Sequence, residues 1–141
     1  MDDERVILQR ALIRVNNKLG RALKQHLEQY NISGAEYGII RNLNDETLTL
    51  SELSQRSLRV NSNTTAMIDS LEQKGIVQRI RDAEDRRVTM VRLTEAGLKL
   101  KNEVVPSHNE HISKFLAPLS NADVAELLVL LGKVEDLCEG V

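Results

Sequence analysis

The chain has 141 residues, 41% of them hydrophobic, and its 19 Lys and Arg against 21 Asp and Glu leave a formal net charge of −2. That length suits one domain with a sizeable core. The charge balance argues against a generic polyanion binder, so any contact with nucleic acid must come from the local placement of charge. One cysteine, Cys138, excludes an intrachain disulfide. No apolar run approaches the roughly 20 residues that span a bilayer, and the acidic start Met1-Asp2-Asp3-Glu4 lacks the basic region of a secretion signal. The expectation is a cytoplasmic protein with no membrane partner.

From about Glu4 to Tyr30, apolar positions fall at Leu8, Leu12, Val15, Leu19, Leu23, Leu27 and Tyr30, always three or four apart. This predicts a long amphipathic helix, on the order of 40 Å. Ser33-Gly34-Ala35-Glu36 has the pattern of a capping box, in which the serine oxygen satisfies an amide and the glutamate reaches back. A second helix is therefore expected to near Leu43. Thr49-Leu50-Ser51-Glu52 repeats the device and predicts a short third helix through Ser57, with Thr47-Leu48 before it as a single bridge to a later hairpin. Leu58-Arg59-Val60 makes a turn, and Asn61 is a good N-cap for a fourth helix. Helix, turn and helix then stand in the order of a DNA-reading motif.

In that fourth helix Thr64, Met67, Ile68 and Leu71 share a buried face, while Ser62, Asn63, Thr65, Ala66 and Asp69 point outward. Gly75 stops it. Residues 76–81 and 88–93 alternate apolar and polar side chains, the period of a half-buried strand, and Asp82 to Arg87 form the hairpin tip between them. A slim polar helix face fits a major groove, where short hydroxyl and amide side chains reach base edges. An arginine on a hairpin tip fits a narrow minor groove, provided that something holds its fork in place. Asp85, two residues before Arg87, is the candidate brace, and Arg86 is the fallback reader. Arg79, Arg81 and Arg92 are candidates for phosphate contact, with solvated strand charges as the plain alternative.

Asp85-Arg86-Arg87 followed by Leu93-Thr94-Glu95-Ala96-Gly97 resembles the D-x-R-x5-L-T-x-x-G signature of the MarR family of bacterial winged helix-turn-helix regulators. Leu71-Glu72-Gln73-Lys74-Gly75-Ile76-Val77 is similar to the end of that family's recognition helix. The resemblance implies a mainly α fold with a small β-hairpin wing. Residues 33–97 would be the winged helix-turn-helix, and residues 1–32 and 98–141 a helical dimerisation region. It also implies a homodimer on double-stranded DNA, a repressor released by a small ligand, with Ser62, Asn63, Thr65 and Ala66 on the groove-facing helix. Ala66 stands where the family commonly has a basic residue.

Thr94 caps a fifth helix, and Gly97 on its first turn allows close approach of another segment. Leu98, Leu100, Val104, Val105, Ile112, Phe115 and Leu116 continue an apolar stripe in which Pro106 predicts a kink. Ser120-Asn121-Ala122-Asp123 opens a last helix. Its Val124, Leu127, Leu128, Leu130, Leu131, Val134 and Leu137 are too many for one side of a small monomer and suggest a partner surface.

The remaining chemistry is sparse. Members of the family bind small phenolic or anionic ligands between the dimerisation helices and the reading head, and Tyr37 is the candidate for lining such a cleft. His108 and His111, with His26 or Glu110, could make a metal site of the kind some members use, against a default of solvent-facing histidines. Cys138 could be a redox sensor, against a default of an inert packing residue. With no Gly-rich phosphate loop or recognisable catalytic constellation, the chain is expected to be neither an enzyme nor a cofactor binder. A winged-helix module that binds protein instead of DNA is the competing class.

Overall fold

A computed structural model describes residues 1–43, 47–56, 64–85 and 87–140. The expected roles of Asn61, Ser62, Asn63 and Arg86 lie outside the described residues. Helix α1 (Glu4–Glu28) starts at Asp3, whose carboxylate accepts from the Arg5 amide at 2.8 Å. Its apolar stripe is only partly used: Leu27 is buried, but Leu8 and Val15 are 50% and 58% exposed. After a left-handed turn at Asn31, φ 57°, the chain enters α2 (Gly34–Asn42). The capping box is formed there, with Glu36 N donating to Ser33 Oγ at 3.1 Å and Ser33 N to Glu36 Oε1 at 3.0 Å.

Strand β1 (Leu48–Thr49) leads straight into α3 (Leu50–Arg56). The expected bridge lies one residue later than the sequence suggests, because Thr49 serves both elements: its backbone pairs with Met90 while its Oγ1 accepts from Glu52 N at 3.1 Å. Helix α4 (Thr64–Gln73) ends as Gly75 takes φ 75°, where Ile76 N bonds back to Leu71 O at 2.9 Å. Strands β2 (Val77–Arg81) and β3 (Thr89–Leu93) pair antiparallel from Val77↔Leu93 to Arg81↔Thr89, and the sheet order is β1-β3-β2.

Helix α5 (Glu95–Phe115) runs across Pro106, so the proline does not end it. Thr94 ties its start to the end of α4: Oγ1 donates to Gly75 O at 2.6 Å and accepts from Gly97 N at 3.0 Å. Gly97 is obligatory here, since a Cβ would sit 2.0 Å from Ile76 O. Ile40, Leu43, Leu48, Leu53, Ile68, Leu71, Val91 and Val104, drawn from α2, β1, α3, α4, β3, α5 and their flanks, are buried almost completely. They form the core that carries α4 and the hairpin.

Two compact units divide the chain, Met1–His108 and Asn109–Val141. The second holds the end of α5 and helix α6 (Asn121–Glu139), begun by a capping box between Ser120 and Asp123. No residue of α6 is buried, and Leu128, Val129 and Leu137 are 65%, 62% and 74% exposed. Among the described residues no helix is long and apolar enough to cross a membrane.

Candidate nucleic-acid interface

Helix α4 divides as its spacing predicts. Thr64, Ile68 and Leu71 are buried and Met67 is partly buried, whereas Thr65, Ala66 and Asp69 are exposed on the outward face. This face carries one feature that periodicity does not reveal. Arg79 on β2 folds back onto it, its Nη2 lying 2.6 Å from Asp69 Oδ1 and 3.3 Å from the Thr65 carbonyl, and its Nη1 3.0 Å from Glu72 Oε1. Glu72 Oε2 also accepts from the Arg79 amide at 3.3 Å. Arg79 is thus engaged with the helix, and its single positive charge is shared between the Asp69 and Glu72 carboxylates. Arg81 is exposed at the end of β2, and Arg92 is exposed and donates across the strands to Gln78 Oε1 at 3.2 and 3.4 Å.

At the hairpin tip the brace is present. Asp85 Oδ1 accepts from Arg87 N at 3.0 Å and from Arg87 Nε at 3.1 Å, and Oδ2 accepts from Nη2 at 3.4 Å. These bonds from the Arg87 side chain, then from its amide, hold the Asp85 carboxyl below its ordinary value. The Arg87 side chain is nevertheless 92% exposed, an oriented cation projecting from the fold. Asp82 N to Val88 O at 3.2 Å and Val88 N to Asp85 O at 3.0 Å fix the tip around it.

Sequence spacing shows Glu36 as a helix cap and nothing more. In the fold it is buried and also accepts from Ser70 Oγ at 3.0 Å and from Lys74 Nζ at 3.0 and 3.1 Å, while Lys74 donates to the Asn31 carbonyl at 2.7 Å. One ion pair therefore joins the α1–α2 turn to the last turns of α4. Burial pushes the Glu36 carboxyl up. The Ser33 amide, then Lys74 and Ser70, outweigh that and hold it below its usual value.

The expectation of solvent-facing histidines is overturned at His108, which is buried. Its Nδ1 lies 2.9 Å from His26 Nδ1, and His26 Nε2 lies 3.0 Å from Ser107 Oγ. One Nδ1 must accept in that contact, so the two rings do not both carry a proton there. Tyr37 packs edge-on to His108 at 4.7 Å; it is buried, and its hydroxyl has no hydrogen-bond partner among the described residues. Three helices, α1, α2 and α5, thus bring the predicted His26, Tyr37 and His108 together, but His111 and Glu110 do not complete a metal-binding group with them among the described residues. Cys138 is exposed in the single chain, not packed as expected.

The MarR family model matches residues 33–89. Over 139 residues the chain is 32% identical to the HTH-type transcriptional regulator PecS of Dickeya dadantii, an alignment covering 96% of this chain and 84% of that one. Its fold is similar to that of AbsC, a MarR family transcriptional regulator from Streptomyces coelicolor, with a TM-score of 0.84 at 25% identity over 100% of this chain and 98% of the other. A mutant of MarR from E. coli, solved in complex with operator DNA, matches with a TM-score of 0.77 at 28% identity over 93% and 95% of the two chains.

Proposed function

The chain belongs to the MarR family of winged helix-turn-helix transcriptional regulators, and on that premise we propose that it is a homodimeric repressor of a palindromic operator. In this reading Thr65 and Ala66 of α4, with Ser62 and Asn63 before them in sequence, enter the major groove, Arg87 of each wing enters the flanking minor groove with Arg86 as the fallback reader, and Arg81 and Arg92 lie near phosphates. The observation that carries it is the Asp85-braced, outward Arg87 at the tip of a hairpin whose other end is clamped to α4. An arginine fork held in advance loses less freedom on entering a groove than a mobile one.

Residues 1–32 and 98–141 supply the dimer interface in this reading, because α1 and α6 present more apolar surface than one chain covers. A twofold pair of heads about 34 Å apart would meet successive major grooves on one face of the duplex. Release follows if a small phenolic or anionic ligand binds better to a dimer whose heads are wrongly spaced. Tyr37, whose buried hydroxyl has no hydrogen-bond partner among the described residues, is the side chain proposed to meet it.

Gel-shift and anisotropy titrations against the protein's own promoter region test the assignment. A dimer neutralising about eight phosphates gives a slope of log affinity against log salt near −7. No sequence-preferring complex at low salt would instead favour a protein-binding winged helix. Thermal-shift screening with aromatic acids, peroxide and zinc separates ligand, redox and metal control, and no response to any of them removes the effector half of the proposal.

A further inference from the structure

Two acidic side chains, Asp69 and Glu72, are exposed on α4, and Asp69 is the one beside the proposed reading residues. Asp69 lies one turn beyond Thr65 on the same face and is 56% exposed, although Arg79 is bound to its Oδ1 at 2.6 Å. A bare carboxylate in a groove lined by phosphates would weaken binding to every sequence. Here the arginine, shared with Glu72, offsets the charge from the β2 side, fixes the carboxylate's orientation, and leaves much of the group accessible.

The geometry assigns Asp69 a base-reading role, with Arg79 as its positioning residue: the carboxylate accepts a hydrogen bond from an exocyclic amino group, cytosine N4 or adenine N6, in the major groove. Chemistry limits the choice. A carboxylate is acceptor-only, and in the major groove cytosine N4 and adenine N6 are the donors, whereas guanine and thymine present O6, N7 and O4 as acceptors. Guanine or thymine at that point is rejected by acceptor facing acceptor. Glu72, on the next turn and held by the other nitrogen of the same fork, secures Arg79 so that it does not swing onto a phosphate. This inference rests on the proposed DNA-binding mode and adds to it a specificity determinant on the recognition helix and a reason for an acid there.

Selection of duplexes from a randomised pool, followed by anisotropy titration of the enriched site with each base substituted in turn, tests it for wild type, D69N, R79Q and the D69N/R79Q double variant. Wild type is expected to require cytosine or adenine at one position in each half-site by about tenfold or more. D69N, whose amide both donates and accepts, relaxes that position alone and leaves the other preferences intact. R79Q weakens binding to all sites, and adding D69N restores part of the loss because the uncompensated charge is gone. An unchanged base preference in D69N overturns the reading role. An R79Q loss that D69N does not restore, with a shallower salt slope, makes Arg79 a direct phosphate contact instead. Unfolding midpoints of each variant separate misfolding from lost recognition. Failure of wild type to enrich any site would sink the DNA-binding mode itself, an outcome distinct from the other two.

Discussion

Arg87 is almost wholly in solvent, so the fold does not need its side chain. The Arg87→Ala variant is accordingly expected to keep the wild-type melting curve while losing about 1–3 kcal/mol of operator binding; equal operator affinity in the two proteins would remove the wing from the interface. Glu36 has the opposite profile, buried and bonded to Ser70 and Lys74. Its carboxyl is held below the ordinary value in the folded chain, so the folded state binds that proton more weakly than the unfolded state. The stabilisation is therefore complete above the unfolded value, about 4.3, and is lost as pH falls through the lower folded value. Denaturation midpoints of wild type and Glu36→Gln should differ at pH 7 and converge in strong acid; a gap of the same size at both would mean that the charge contributes nothing. At neutral pH, Lys74→Met strands the buried carboxylate and is expected to cost about 1–3 kcal/mol, read by urea denaturation.

Between elements, the joint of α4, β2 and α5 is tightly constrained. Thr94, Gly75 and Gly97 meet there through a hydroxyl bonded to one carbonyl and a helix pressed against the next. Gly97→Ala places a methyl group against backbone, which does not yield as a side-chain tip would. It is expected to destabilise by roughly 3 kcal/mol, measured by thermal or urea unfolding, and a change under about 0.5 kcal/mol would mean the joint opens easily. These joints were partly legible. Local chemistry writes itself into spacing, so the caps at Ser33, Thr49 and Thr94, the stop at Gly75, the two hairpin strands and the Asp85–Arg87 brace could all be read from neighbouring residues. Contacts between residues far apart in sequence could not. Glu36 to Lys74, Asp69 to Arg79 and His26 to His108 depend on how elements cross, and a polar residue on a helix reads alike whether it meets solvent or a partner. His108 shows the cost: a histidine amid alternating polar residues is assigned to solvent by default, and the packing of α1 and α2 against α5 buries it.

For the whole molecule, the decisive quantity is the apolar surface left on the terminal helices. Leu8 and Val15 of α1 and Leu127, Leu128, Leu130 and Leu131 of α6 are all at least 45% exposed in one chain, and each gains roughly 1.5–3 kcal/mol if fully buried. A helix apolar around most of its circumference is a helix meant to be enclosed. If a second copy encloses it, the proposed association and operator binding are one equilibrium, since each head alone neutralises only half the phosphates. Leu128→Asp combined with Leu131→Asp should then shift sedimentation from dimer to monomer while circular dichroism retains the helical signal of the reading head. The salt slope should fall from about −7 toward half that value as one head replaces two. A dimer that survives both charges, with the slope unchanged, would place the interface elsewhere on the chain.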